Sequence, residues 1–391
     1  MAQQMADLKA LVFAYAFDAS RGSELGAGAK IVESASKVCA EVTVITRQEM
    51  RQLTAETNVG TSAMAECNVV EIAQAPTWLP TYVRYSIWVV RAARVAQKLR
   101  KSSGFDVIHH ATYASDWFVN PFIFLKKVPT ERWVWGPAGG ASYAPVAVSR
   151  AVTGSEVANE LARQAATSLI RKITHFLLRS RVDSAIALNS ESAAAFRKSS
   201  FHSVSTGSNV GFQYENLSNR AERPADKTIV WAGRGSSWKG LRLVIQAVNQ
   251  LPDDWKLIVV GPQSDSEKFR KLVLRDSQVD FRGVVSRDIA LELMAEATAF
   301  ALPSLHDSAP WAAAEAAAFG TPVVCLDLGG VGAMAGAAAM VVPALPVDTL
   351  VERYAAALSA CHSSARSKYR GHTDERLVNM VRTAYGLEVN P

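Results

Sequence analysis

Clustered cysteine and histidine are the first things this chain lacks. Its four cysteines, Cys39, Cys67, Cys325 and Cys361, lie far apart with no CxxC pair and no Cys/His grouping, which excludes a disulfide framework and a zinc site of the usual spacing. Long hydrophobic runs are missing too. The early run ALVFAYAF follows Asp7 and Lys9 and is too short and wrongly flanked for a signal peptide or a membrane span, so a cytoplasmic chain is expected. The one long uncharged stretch, Leu328 to Val347, is broken by Gly329, Gly330, Gly332, Gly336 and two prolines and reads as a loop with a buried segment. Low-complexity tracts, a Walker GxxxxGK[ST] loop, a GxGxxG fingerprint and a DxD acidic pair are all absent, which removes the commonest phosphate-loop and metal-carboxylate readings.

What is present is enough apolar chain for two cores. The 391 residues, 49% hydrophobic and 20% charged, exceed what one core usually serves and fit a soluble globular protein of two domains. The net charge of +6 is unevenly placed, because residues 1–205 hold 23 Lys/Arg against 16 Asp/Glu. Within that half, Arg84, Arg91, Arg94, Lys98 and Lys101 follow helical spacing, while Trp78, Tyr82, Tyr85, Trp88 and Val89 supply bulky apolar surface. This is a basic amphipathic helix. It serves either as a solvated face over a core or as an attraction to an anionic membrane or acceptor; no nucleic-acid recognition motif accompanies the charge.

Short β-rich runs alternate with helical patterns along the chain: KALVFAYA, EVTVIT, FDVIHH, ERWVWG and DSAIAL, then TIVWAG, WKLIVVG, VDFRG, ATAFALP and TPVVCL. Such alternation implies parallel sheets covered by helices on both faces. The rhythm restarts near residue 226, after the polar stretch NLSNRAERPADK, which reads as a linker. Two Rossmann-like domains are expected, 1–206 and 207–366. A last helical segment, 367–391, has no docking site that the sequence decides, a return to the first domain being one option.

Ligands of doubly wound sheets bind where strand turns into helix at the carboxyl ends of strands. RGSSWKG, Arg234 to Gly240, follows TIVWAG at such a place, and Leu241, Val244, Ile245 and Val248 then repeat with helical spacing, so a helix is expected from about Lys239. Two cations at a helix N-terminus suit phosphate oxygens, and a diphosphate is the expected ligand. Further on, Asp307 and Glu315 stand seven residues apart around Pro310, which suits a helix start. Carboxylates there accept hydrogen bonds from vicinal diols of a ribose or hexose; a capping Asp307 and a solvated Glu315 are the alternative. Trp238 reads as a packing residue.

These pieces together resemble the GT-B glycosyltransferases, and specifically retaining glycosyltransferase family 4. GRGSSWKGLRLVIQAV is similar to that family's G-R-x-x-x-x-K-G loop, WKLIVVGP and VDFRGVV to the two strands after it, and PSLHDSAPWAAAEAAAFGTPVV to its E-x7-E segment, in matching order over roughly residues 228–330. In the first half RGSELGAG resembles the glycine loop after the first strand, FDVIHH the strand with an active-site histidine, and WGPAGG a motif of some bacterial members. The resemblance implies two Rossmann-like domains facing a central cleft, with the acceptor on the first and the donor on the second. It implies that a nucleotide-diphosphate sugar gives its sugar to a hydroxyl of a glycan or lipid-linked acceptor with retention, without metal or other cofactor.

By position, the resemblance gives Gly233, Arg234 and Lys239 to the diphosphate, Glu315 to the ribose, and Gly283 and Val284 to the base. Asp307, Ser308 and Ala309 go to the sugar, and Gly22, Ser23 and Glu24 to a close approach of backbone to ligand. His110 is the expected catalytic histidine, with His109 the other candidate, and Gly139 and Gly140 fall on the acceptor side. Two departures stand out: the family's first acid is commonly Glu where this chain has Asp307, and the glycine usual three residues later is Pro310. A nucleotide-sugar epimerase of the same fold and a non-catalytic nucleotide-sugar-binding protein are the rival readings. Contact with an anionic inner membrane face is an expectation from the basic first half.

Overall fold

The computed structural model describes residues 6–18, 23–48, 67–113, 115–214 and 227–388. By compactness the chain forms two units: Met1–Ala141, Thr167–Phe212 and His372–Pro391 make the first, and Ser142–Ala166 with Gln213–Gly371 the second. The first holds strands β1 (Ala6–Ala14), β2 (Cys39–Arg47), β3 (Cys67–Ile72), β4 (Val107–Thr112), β5 (Arg132–Ala138), β6 (Ser184–Ala187) and β7 (Val204–Thr206). The second holds β8 (Thr228–Ala232), β9 (Lys256–Val260), β10 (Val279–Gly283), β11 (Ala299–Ala301), β12 (Val323–Leu326) and β13 (Ala339–Val342). Helices in chain order are α1 (Ser23–Ser36), α2 (Thr81–Ser102), α3 (Val146–Thr153), α4 (Val157–Leu178), α5 (Ser190–Lys198) and α6 (Leu241–Val248). They continue with α7 (Glu267–Arg270), α8 (Arg287–Glu296), α9 (Trp311–Ala318), α10 (Val331–Ala335), α11 (Leu350–Ala360) and α12 (Asp374–Ala384).

Both sheets are parallel, in the orders β3-β2-β1-β4-β5-β6-β7 and β10-β9-β8-β11-β12-β13. Each order reverses beside its first strand, at β1/β4 and β8/β11, and so has a doubly wound switch point. The pleat of β1 shows why both faces must be covered: Leu11, Phe13 and Tyr15 enter one core with Trp88, Trp133 and Trp135, while Ala10, Val12 and Ala14 enter another with Ile31 and Val32. In α1, Gly28 lets the helix lie against β1, since a Cβ there would stand 1.8 Å from the Ala16 carbonyl oxygen.

Set against the expected segments 1–206, 207–366 and 367–391, the units shift one stretch and group the last segment. Residues 142–166 group with the second unit because α3 drives Val148 and Val152 into the core around Ile229, Trp231 and Val244. The chain after His372 groups with the first unit, where Leu377, Val381, Ala384 and Tyr385 complete the core under α1 and Lys30 pairs with Asp374 at 2.9 Å. The linker expected at 216–227 lies outside the described residues except for Lys227. In α2 the apolar face Tyr85, Trp88, Val89, Ala92, Ala93 and Ala96 is buried, and Arg94, Lys98 and Lys101 are exposed.

Candidate functional site

The loops that leave the second sheet at its carboxyl edge are tied to one another through their backbones. Gly261 N–H donates to the Gly283 carbonyl at 2.6 Å, Gly233 N–H to Val260 at 3.0 Å, and Gly235 N–H to Pro262 at 2.8 Å. On the other side of the switch point, Leu305 N–H donates to the Trp238 carbonyl at 3.0 Å and Gly330 N–H to Asp307 at 2.7 Å. Such close approach requires glycine. At Gly261, with φ +125°, a Cβ would stand 1.9 Å from the Gly233 carbonyl oxygen, and at Gly330 one would stand 1.8 Å from that of Ser308.

Within this frame RGSSWKG forms a single 3₁₀ turn over Ser237–Lys239, and the α-helix starts at Leu241 instead of Lys239. The delay has a local cause: Gly240 takes a left-handed conformation, φ +77°, before α6. The turn sets Lys239 against the β11 loop, where its ammonium bonds both Asp307 carboxylate oxygens at 2.8 and 2.6 Å. Two of its three N–H groups are thereby used. Trp238 stacks on His306 at 4.2 Å between ring centres with a 25° tilt, and the Lys239 ammonium lies 4.7 Å from the Trp238 ring. His306 lies 3.4 Å from the Glu160 carboxylate. Burial alone would raise that carboxyl, but the nearby His306 ring and hydrogen bonds from Arg163 and Gln164 overcome it and hold Glu160 at about 2. Arg234, in contrast, is exposed and makes no ion pair among the described residues.

Asp307 and Glu315 take neither of their bland roles. Pro310, not Asp307, is the residue that precedes α9, and Glu315 is buried inside that helix with an ion pair to Arg287 of α8. Ser308 and Ala309 are half-buried in the connecting loop. At the edge of the frame, Gly283 has φ +63° with open space beside it and Val284 is exposed. The structure thus brings Gly233, Arg234, Lys239, Asp307 and Gly283 onto one connected edge. Arg287, His306 and Glu160 were not found from the sequence; the position of His306 beside Asp307 was the only available signal.

In the first unit the two candidate histidines are enclosed. His109 and His110 point to opposite faces of β4, and both are buried. His109 donates from Nε2 to the Gly136 carbonyl at 2.6 Å and accepts at Nδ1 from the Tyr385 hydroxyl at 3.0 Å. His110 accepts at Nδ1 from the Asn120 amide at 3.0 Å, an orientation fixed because Asn120 Oδ1 accepts from Phe122 N–H, and its Nε2 meets the Tyr85 hydroxyl at 3.0 Å. Every ring nitrogen is engaged. Burial lowers His109 to about 4 and His110, beside His109, to about 3, so both rings are neutral.

The WGPAGG segment is likewise a packed element. Gly139 accepts from Asp116 N–H at 2.8 Å, and Gly140 accepts from Arg171, which itself bonds the buried Asp116 carboxylate at 2.6 Å. Gly22 lies outside the described residues; Ser23 and Glu24 open α1, with side chains outside the description. Among the described residues, no group of three His, Cys, Asp or Glu stands together as a metal-ligand set, and no helix is long and apolar enough to cross a membrane.

Residues 226–361 match the family described as glycosyl transferases group 1. Among curated proteins, none matches the sequence. Among solved structures, HepE of Anabaena in complex with UDP and glucose is similar at a TM-score of 0.58 and 15% identity, over 97% of this chain and 99% of that one. A sucrose-phosphate synthase of Thermosynechococcus elongatus has a TM-score of 0.61 at 16% identity, over 97% and 98% of the two chains. The lipopolysaccharide outer core galactosyltransferase WaaB, in its apo form, has 0.57 at 13%, over 97% and 96%. The two Rossmann-like α/β units therefore have the GT-B fold.

Proposed function

We propose that the protein is a retaining glycosyltransferase of family 4 type, which moves a sugar from a nucleoside diphosphate sugar to a hydroxyl of a glycan or lipid-linked acceptor. The observation that carries this reading is the loop 233–240, whose two cations sit on the same backbone-linked edge as Asp307. Arg234 presents an exposed guanidinium, with five N–H donors for phosphate oxygens. Lys239 adds its remaining N–H and its charge. UDP is the first nucleotide to test because the HepE structure contains it.

As the bond between the anomeric carbon and the phosphate oxygen breaks, the electron pair goes to the diphosphate, where Arg234 and Lys239 stabilise the charge that grows. The acceptor hydroxyl bonds the anomeric carbon from the same face, and its proton passes to the departing phosphate. Asp307 orients sugar hydroxyls, and Glu315, held by Arg287, accepts from the ribose. Because side-chain cations supply the positive field, the reaction is metal-independent in this reading. A panel of UDP-, GDP- and ADP-sugars tests it: slow release of nucleoside diphosphate, undiminished by EDTA, is expected. An epimerised sugar without release identifies an epimerase, binding without turnover identifies a non-catalytic module, and activity lost to EDTA and restored by Mg²⁺ removes the charge-neutralising role of the two cations.

A further inference from the structure

Helix α4 turns a largely polar face inward and an apolar face outward. In its first-unit part, Thr167, Arg171, Thr174, His175 and Leu178 are buried, whereas Leu169 (62% exposed), Ile170 (40%), Ile173 (54%), Phe176 (66%) and Leu177 (40%) face outward. These five residues recur with helical spacing and lie along one face for roughly 12 Å. Single exposed apolar residues are ordinary on a surface, but a contiguous stripe on one helix marks a contact.

Charge selects what makes that contact. From Thr167 to Val182 the chain has no Asp or Glu and carries Arg171, Lys172, Arg179 and Arg181. Arg171 is committed to Asp116, and Arg181 to the carbonyls of Phe122, Ile123 and Leu125. Lys172 and Arg179 remain exposed beside the stripe, the Arg179 guanidinium 5.0 Å from the centre of the Phe176 ring. Asp183, the next carboxylate in the chain, is taken by Lys127. A second copy laid on the stripe would bring like cations together with no carboxylate from this helix face to meet them. An anionic bilayer surface fits both features, since leucine, isoleucine and phenylalanine sink below the headgroups while lysine and arginine stay among them.

We propose that the Leu169–Leu177 face of α4 is a docking surface for anionic lipid bilayers. The α2 stripe differs, because most of its apolar side is used up in the core and its exposed large apolar residues, Trp78 and Tyr82, lie at or before the helix start, about three or more turns from Arg94 and Lys98. The proposal stands apart from the donor-site reading, as no residue of the 233–240 loop takes part.

Sedimentation of the full chain with phosphatidylcholine vesicles containing phosphatidylglycerol tests it. Wild type is expected to bind, and Ile173→Asp with Phe176→Asp to lower partitioning at least about tenfold. Lys172→Glu with Arg179→Glu should lower it about tenfold at low salt and less at high salt. Reversal of Arg94 and Lys98 on α2 should change it by no more than about twofold, and all four changed α4 side chains are exposed, so thermal unfolding should stay at the wild-type temperature. Wild type that ignores the vesicles at low salt overturns the proposal. So does binding lost on α2 reversal but kept by the α4 variants, or a dimer in sedimentation velocity that Phe176→Asp dissociates.

Discussion

The two sheets place polar residues near strand exits and use them in opposite ways. On β4 the ring nitrogens of His109 and His110 are all engaged by Tyr385, Gly136, Asn120 and Tyr85. Beyond β8 and β11, Lys239 and Asp307 hold each other at a half-buried edge and Arg234 is exposed without an ion pair among the described residues. Both places are where a ligand of a doubly wound sheet is expected. The difference teaches that location alone does not make a site: what matters is unused hydrogen-bonding capacity. The second unit has it and the first unit's histidine pair does not.

The strongest way to break this comparison is to remove the second unit's cations. Arg234→Ala or Lys239→Ala should lower the transfer rate by roughly 10²–10³, as for a lost oxyanion donor, with the loss in kcat. Steady-state kinetics on folded variants checks it; a normal kcat in both would remove them from the chemistry. The matching change in the first unit is His110→Ala, which empties a core position and strands Tyr85 and Asn120. It should destabilise the protein by about 2–4 kcal/mol while nucleotide affinity stays at the wild-type value. Chemical denaturation beside calorimetry checks it, and a variant of wild-type stability that has lost transfer would return His110 to the active site.

A smaller effect sharpens the second-unit side. Glu315→Ala should weaken nucleotide binding by about 1.5–3 kcal/mol, the range of hydrogen bonds to a charged group, with turnover of bound donor little changed. Its partner Arg287 is accessible to solvent and keeps its hydration when the carboxylate goes. Titration of the variant with nucleoside diphosphate measures the loss; equal affinity would leave Glu315 a structural partner of Arg287 alone.

Acid separates the two units most gently. Burial lowers His109 to about 4, His110 to about 3 and His175, near Arg171, to about 3. Their folded values lie below the unfolded 6.5, so the unfolded chain takes up protons first, and stability present above pH 6.5 is lost as pH falls below it. Burial of Asp116 raises its carboxyl to about 6, which acts in the opposite sense between about pH 6 and 4, but one carboxyl is set against three histidines. In the second unit, Glu160 is held at about 2 against an unfolded 4.5, so its contribution is lost only as pH falls below 4.5. Hydrogen exchange resolved by peptide should show the first unit losing protection at higher pH than the second; simultaneous loss would contradict the assignment of the histidines as buried and neutral.

Much of the fold was legible because parallel strands covered on both faces read as apolar runs. The runs around Val12, Val44, His109, Val134, Ile186, Val230, Ile258, Phe300 and Val324 are all strands. The strands not anticipated, β3, β7 and β13, are sheet edges where burial is partial, and β13 (Ala339–Val342) sits in an alanine- and glycine-rich apolar stretch that carries no strand-like pattern. In the candidate site, Arg234, Lys239 and Asp307 could be chosen from spacing, whereas the pairing of Lys239 with Asp307 across 68 positions could not. The partners of His110 were hidden for a related reason. A polar residue near a strand exit looks the same in sequence whether it faces a ligand or finds its partners in Tyr85 and Asn120.

The central claim, that the 233–240 loop recognises a diphosphate, is tested most directly by calorimetry of a nucleoside against its diphosphate, with uridine, guanosine and adenosine in turn. For one base the diphosphate should bind at least about tenfold more tightly than the nucleoside, with a salt-dependent advantage that Arg234→Ala largely removes. A diphosphate that binds no better than its nucleoside for every base, or an advantage that survives unchanged in Arg234→Ala and Lys239→Ala, would contradict it.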